Sequence, residues 1–428
     1  MNRLMAAIGG AAAALLASPA AAQSPAELAG MVRRQQEVIE ALSRRLELLE
    51  GRLASTAPAP APAPAPAVAV ASPVQASPAD PPPAYTAKLR GRIHADAWRV
   101  DDGASGTELR RARIGVEGRV AAMPYVIEAD FAGNTVSLQD AFFAIPLGAR
   151  AQVRLGYHKV PFGLDDQTSD NYNLFLEHPA GIDPFVPGRG VGASVWAKGA
   201  RWFATAGLFG EGENDARDGL TDESLTLGGR VAWAPVLEQD RYLHLALAAY
   251  HAEFNGPLTL RLRARPERHL APYVVDTGMI GADAADAIGL EAAFSAGAFG
   301  VAAEAALMEV SAPTADPTYG GYSIEAWWTL TGEFRPYKID GAVFDRLKPE
   351  RPISQGGWGA WQVAARYGAL DLDDGGLVER ELSVGSLGLN WHLEDRVRLM
   401  FDLNRSHAET AAGTLDQTGL GIRAQIDF

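Results

Sequence analysis

The chain contains no cysteine. Neither a disulfide framework nor a thiolate metal site can exist in it. Beyond its first two dozen residues it offers no run of about 20 apolar residues, so no helix is available to cross a membrane. If the protein enters a bilayer, it does so with strands. Lysine is scarce, limited to Lys88, Lys159, Lys198, Lys338 and Lys348. Basic residues as a whole are outnumbered, 38 against 52 acidic ones, for a formal net charge of -14. That balance argues against nucleic acid as a partner. Catalytic signatures are missing too: no Gly-x-Ser-x-Gly, no His-Glu-x-x-His and no Walker loop. "GRGVGA" (188–193) has glycine spacing like a dinucleotide loop, but a strand pattern follows it where a helix is required. "DLDDGG" (371–376) resembles the start of a calcium loop, yet its twelfth position is Leu382 and not glutamate. A loose divalent contact there is the nearest approach to a metal site. The expectation is a non-enzyme without cofactor or metal.

The first residues are a targeting segment. "MNRLMAAIGGAAAALLASPAAAQ" has Arg3, an apolar run through Leu16 and small residues at Ala20 and Ala22. This pattern predicts a secretory signal over 1–22, cleaved after Ala22. A helix follows over 24–55. Leu28, Val32, Gln35, Ile39, Leu42, Leu46, Leu49 and Leu53 alternate spacings of four and three, an a/d seam with charged residues on the other faces. Fewer than four heptads are marginal alone, so the coiled coil relies on a larger assembly. Residues 56–84 are an Ala/Pro-rich linker, with "APAPAPAPAPA" at its centre. Such a stretch adopts extended polyproline-like conformations and reaches several tens of ångströms at ~3.1 Å per residue.

From 85 to 428 the period changes to two. "RRARIGVEGRV" sets Arg111, Arg113, Glu117 and Arg119 against Ala112, Ile114, Val116 and Val120. "AKLRGRIHADAW" sets Lys88, Arg90, Arg92, His94 and Asp96 against Leu89, Ile93 and Ala97. "RAQVRLGYHK" sets Arg150, Gln152, Arg154 and His158 against Val153, Leu155 and Tyr157. The chain closes on "GLGIRAQIDF", patterned the same way.

A soluble sandwich alternates as well, but it has no use for rows of basic residues along one parity. A barrel with a water-filled lumen does. Tryptophan and tyrosine near segment ends (Trp98, Tyr157, Trp196, Trp202, Trp233, Trp327, Trp328, Trp361, Tyr367, Trp391) suit interfacial girdles. Short turns alternate with long polar loops near 161–188, 211–223, 266–286, 338–356 and 370–380, which places all five on one side. Counting by eye yields 17 segments. An even barrel requires about 16, and the doubtful segment is 258–265. The fold expected is all-β, a transmembrane antiparallel β-barrel over 85–428.

These segments resemble the phosphate-selective porin family of the O and P type. The likeness covers most of 87–428 and rests on "RRARIGVEG", "EADFAGNTVSLQDAFFAI", "LGYHKVPFGLDD", "NLFLEH", "GRGVGASVWA", "TLTGEFRPYK", "GAWQVAARYGALDLDD" and "LGLNWHLEDRVRLMFDLN", in that order. A terminal aromatic such as Phe428 is, by the same resemblance, an outer-membrane assembly signal. The resemblance implies an outer-membrane homotrimer of 16-stranded barrels in a Gram-negative bacterium, embedded in lipid and passing small anions such as phosphate. The third long loop would fold inward, and the N-terminal helix would lie in the periplasm, in contact with the cell wall or another periplasmic component. Candidate pore-lining residues are Lys88, Arg90, Arg92, Arg111, Arg113, Arg119, Asp140, Arg150, Arg154, Lys159 and Arg189, with Arg230, Arg366, Arg398 and Arg423 on the inward parity of later strands. Each arginine has a second reading, pairing across the lumen with Glu117, Glu128, Asp130 or Asp140. Lys159 matches the lysine that the family carries before its constriction loop. The loop after it departs from the family: 160–188 has no lysine but carries Asp165, Asp166, Asp170, Glu177 and Asp183. If those carboxylates faced the pore they would oppose anions, which favours a general, weakly selective porin.

The signal reading has a direct check. Mass spectrometry of the exported protein is expected to show a mature chain starting at Gln23; an N-terminus at Met1 would reject it.

Overall fold

The computed structural model describes residues 85–428 apart from 102, 104, 211–223, 256–259, 314, 374–379 and 411–412. The expected signal (1–22), coiled coil (24–55) and linker (56–84) lie outside the described residues.

Sixteen strands close into one antiparallel barrel. They are β1 (Tyr85–Val100), β2 (Gly106–Val120), β3 (Met123–Asp130), β4 (Ser137–Pro146), β5 (Ala151–Lys159), β6 (Arg189–Lys198), β7 (Trp202–Gly210), β8 (Leu225–Leu237), β9 (Arg241–Glu253), β12 (Ala284–Ala296), β13 (Phe299–Ser311), β14 (Thr318–Thr329), β17 (Ala360–Asp371), β18 (Glu381–Glu394), β19 (Val397–Thr410) and β20 (Gly413–Asp427). Two short pairs lie in connections: β10 (Arg263–Ala264) with β11 (Val275–Asp276), and β15 (Tyr337–Lys338) with β16 (Val343–Phe344). The barrel closes where β20 returns to β1, pairing Arg92 with Asp427 and Ile93 with Ile426. Closure leaves no open edge, the condition for a sheet in a medium that cannot hydrogen-bond its backbone. The terminal Phe428 completes the seam by exchanging both backbone hydrogen bonds with Gly91, each 3.0 Å.

The alternation sorts as the sequence predicts. Leu89, Ile93, Ile114, Ile127, Leu247, Leu290, Ile324 and Leu403 are exposed on the outer face. Arg92, His94, Asp96, Glu128, Arg230, Glu291, Arg398 and Arg423 are buried inside. Outer apolar residues meet lipid, so their exposure is the stable arrangement.

The lumen is filled by three connections. Loop 160–188, after β5, folds inward and buries Phe162, Leu164, Leu174, Phe175, Leu176, Ile182 and Phe185. Its backbone groups, out of bulk water, find partners on the wall. Glu304 accepts from the N–H groups of Leu164 (2.7 Å) and Asp165 (2.9 Å), and Asp402 from Leu176 (2.7 Å). Asn390, Arg366 and Arg398 donate to the carbonyls of Leu174, Glu177 and Asn173. At Gly181 the loop backbone touches the wall itself: a Cβ there would stand 2.3 Å from the Tyr322 carbonyl oxygen and 2.5 Å from that of Ala369. Loop 254–283, after β9, includes the β10–β11 pair and anchors Arg268 on Asn404 and Gln417, both at 2.7 Å.

The third inward connection is residues 330–359. Two expectations are corrected by the strand order. The stretch 338–356 was expected beside the other long loops. It instead follows the twelfth barrel strand, an even crossing, and therefore lies at the end of the short turns. The seventeenth segment, near 258–265, contributes no barrel strand among the described residues: Arg263–Ala264 pairs within its own loop, and Leu260 bridges Ile280 there. Residues 330–359 reach up into the lumen. Arg230 donates to the carbonyls of Gly341 and Ala342 (2.8 Å each), Tyr337 bonds His244 (2.7 Å), and Tyr337 and Phe344 pack around Tyr242. The connection meets loop 160–188 from below, through Phe344 N–H to Thr168 Oγ1 (3.3 Å) and Arg335 to the Tyr172 carbonyl (3.1 Å).

Gly181→Val is expected to push loop 160–188 off β14 and β17 and raise single-channel conductance, with the heat-modifiable electrophoretic shift of a folded barrel retained. Unchanged conductance would show that the contact does not set the loop position.

Candidate functional site: a cation-lined cavity beside the inward loop

Loop 160–188 leaves a cavity of about 210 Å³ between its own Gln167–Asp170 segment and the wall of β1 to β6. Arg90, Arg92, Arg113, Arg154, Lys159, Arg189 and Asp140, seven of the eleven candidate pore-lining residues, line it together. Alternation places Arg90 and Arg92 on the inward parity of β1, whereas Lys159 and Arg189 have the opposite parity to Arg154 and Trp196 and pair at the strand ends, where β5 leads into the loop and β6 leaves it. Six cations stand against three carboxylates in this lining, Glu128, Asp140 and Asp170.

Most of the cations are held by ion pairs. Arg90 reaches Glu128 (3.0 Å) and Glu117 (3.2 Å). Arg92 and Arg113 reach Asp170 (3.5 and 3.3 Å), and Arg113 also Asp130 (2.8 Å). Arg189 bonds Asp140 at 3.2 Å. Lys159 holds the Asp166 carboxylate (3.2 Å) and its carbonyl oxygen. Arg154 stacks on aromatic rings instead.

Four candidates fall outside the cavity. Arg111 is buried against Asp170 at 2.9 Å. Lys88 is 66% exposed and pairs with Glu117. Arg119 donates to the Ala122 carbonyl at the adjacent turn. Arg150 is exposed and borders a separate bay of about 750 Å³ at the turn end, with Arg154, Lys198 and Lys338. Of the later strands, Arg230 pairs with Glu291 (2.6 Å), Arg366 with Glu267, and Arg423 with Asp96 (2.6 Å). Arg398 bonds the Asn173 carbonyl and Gln425. All four hold the lumen's inserts and wall together.

Two carboxylates of the acidic loop turn to the wall: Asp170 to Arg92, Arg111 and Arg113, and Glu177 to Arg110 (2.7 Å) and Arg423 (3.2 Å). His178 lies between Asp165 and Asp170, 3.2 Å from the latter. Burial by itself would push His178 down, but the Asp165 charge and the hydrogen bonds to both aspartates hold it well above its ordinary range. Burial raises Asp170, and the Arg111 charge overrides it, holding the carboxyl well below its ordinary range.

The sequence reading missed one basic element. "RLRARPERH" (261–269) lies at the loop end of the barrel. Arg263 and Arg265 sit over the Tyr273 ring at 3.9 and 4.3 Å from its centroid. Burial lowers Arg268 to about 10, which leaves it protonated at neutral pH. The alternation Arg261, Arg263, Arg265 was the available signal, obscured because it mimics a strand.

A profile described as "Phosphate-selective porin O and P" matches residues 87–428. The chain belongs to the phosphate-selective porin O and P family. Among its relatives, this porin is 31% identical over 401 residues to an uncharacterized protein of Caulobacter vibrioides, covering 84% of this chain and 80% of that one. It is 26% identical over 364 residues to Porin O of Pseudomonas aeruginosa, covering 74% and 81%. In fold it is similar to an anion-selective porin of Comamonas acidovorans, with a TM-score of 0.54, 15% identity, and 80% of this chain and all of that one covered. OmpT of Vibrio cholerae, as a loop-deletion variant, gives a TM-score of 0.53 at 10% identity, covering 81% and 100%. This porin is a protein of the Gram-negative outer membrane.

The His178 contacts carry a pH dependence. A raised histidine pKa contributes stability that is complete below about 6.5 and is lost as pH rises through the folded value. Asp165 and Asp170, held low, contribute above about 3.9 and lose that contribution in acid. Hydrogen-exchange protection factors in loop 160–188, corrected for intrinsic base catalysis, are expected to be highest between these limits and to fall in alkali. His178→Ala should abolish the alkaline fall in protection; a persistent fall would place the titration elsewhere.

Proposed function

We propose that this porin passes small anions by passive diffusion, phosphate-type solutes foremost. The observation that carries the reading is the gathering of six cations in the lining of one cavity against three carboxylates in that lining, with Glu117, Asp130 and Asp166 paired to them from outside it. An anion in a narrow passage sheds part of its hydration, and guanidinium and ammonium donors replace it. Pairing with carboxylates tempers each cation, so an ion is held weakly at several places and can leave. Arg263, Arg265 and Arg268 at the loop end provide an approach, and Arg150, Lys198 and Lys338 an exit at the turn end. The description of the family as phosphate-selective, and of one similar structure as an anion-selective porin, support the same class of solute.

The turn end faces the periplasm in barrels of this kind. The segment 24–55, as a coiled coil on its Ala-Pro linker, would lie there and engage the cell wall or a periplasmic partner. A homotrimer suits the wall heights. Strands β3 to β7 have 8, 10, 9, 10 and 9 residues, against 12 to 16 in the others. Eight to ten residues tilted by ~40° rise about 20 to 26 Å, so this wall barely matches the ~25 Å apolar band and at β3 falls short of it. Cover by other copies would remove the mismatch at β3.

A general, weakly selective porin is the second reading, favoured by the net charge of -14 and by the ion pairing of most lumen cations.

In planar bilayers, chloride current is expected to be anion-selective by reversal potential and blocked by low phosphate. Large, unblocked, weakly selective current would favour the second reading. Lys159→Glu is expected to lower anion selectivity in a folded barrel, and unchanged selectivity would remove Lys159 from the pathway.

A further inference from the structure

Among the described residues lining the cavity, five of the six cations have a carboxylate within ion-pair distance and Arg154 has none. Its guanidinium carbon lies 3.4 Å from the centroid of the Trp196 ring and 4.9 Å from that of Phe142. Register explains the arrangement. Arg154 pairs directly with Ala144 on β4 and Ser194 on β6, and the two aromatic residues stand two positions away on the same inward face. The platform is itself fixed. Trp196 Nε1 donates to Ser194 Oγ (2.9 Å), and its ring meets Phe203 edge-on at 5.1 Å.

The way a guanidinium is held decides what it can still do. A carboxylate takes its in-plane N–H donors and cancels its charge. An aromatic face takes neither, because stacking uses the face of the ion and leaves its edge free. Arg154 accordingly keeps an Nε donor that is buried and has no hydrogen-bond partner. Its Nη donors take no hydrogen bond among the described residues either, and the side chain is only half-buried, so the outer edge of the guanidinium is open to a ligand. The position is also special. Arg154 and Trp196 are the two residues that border both the central cavity and the bay at the turn end.

We propose that Arg154 is the oxyanion-selecting contact of the pathway. An oxyanion crossing between the two spaces sets two oxygens on the parallel edge donors of the stacked guanidinium, a geometry that a spherical halide cannot use. The inference rests on the anion-pore reading above and adds the residue that discriminates among anions.

The test uses the full-length porin in planar bilayers, with chloride as carrier and inorganic phosphate as blocker. Arg154→Lys keeps the charge but loses the fork and the stack. It should retain anion-over-cation selectivity while the half-blocking phosphate concentration rises roughly tenfold, the worth of one charge-assisted hydrogen bond. Arg154→Ala should lose both. The chain has no cysteine, so Arg154→Cys introduces a unique thiol. Its modification by an ethylammonium methanethiosulfonate should restore anion selectivity without restoring tight phosphate block, and a sulfonate reagent should lower anion selectivity further. Wild-type phosphate block in a folded Arg154→Lys porin, or reagents that leave the current unchanged, would overturn the assignment while leaving an anion-selective wild type intact. A wild type without anion preference would overturn both this inference and the reading beneath it.

Discussion

Ion pairing between the inward loop and the barrel wall is the interaction on which the lumen depends. Asp170 alone gathers Arg92, Arg111 and Arg113, and Glu177 gathers Arg110 and Arg423. Rows of like charge on adjacent strands would repel one another in a confined space. The loop supplies the counter-charge, and in return the wall fixes the loop. The charge balance of the wall and the placement of the loop therefore come from one set of contacts. Removing one member of a buried pair typically costs about 3–5 kcal/mol, because its partner is left charged and unpaired.

The same economy extends to the backbone. A loop inside a barrel is cut off from bulk water, and its amide groups need partners. Glu304, Asp402, Asn390, Arg366 and Arg398 meet that need from four strands. Polar residues of the inward parity on β8 to β20 brace the inserts, and Arg92, Arg111 and Arg113 on β1 and β2 hold the loop as well. Residues of β1 to β6 also border the cavity beside the loop.

Much of this was legible in the chain. Period-two alternation identified the inward parity of β1, β2 and β5, and seven of the eleven proposed lining residues do share one cavity. The misreadings have physical causes. Residues 261–265 alternate as a strand does, yet too few of them pair to reach across a bilayer. The segment 338–356 is as long and polar as a surface loop, but the parity of crossings sends it to the other end. The acidic residues of 160–188 looked hostile to anions because a sequence shows charge without showing direction.

The amino-acid order by itself determined the strands, their two faces, the closing residue Phe428 and the family, since each depends on local alternation or on motifs in series. Tertiary structure decided which charges survive in the pore. Whether a carboxylate lies against a guanidinium or across from it depends on how the barrel closes and how far a loop folds inward. Arg154 has the same residue type and parity as its paired neighbours. It differs because Trp196 and Phe142 come within stacking reach of it on neighbouring strands, and that proximity exists only in the closed sheet.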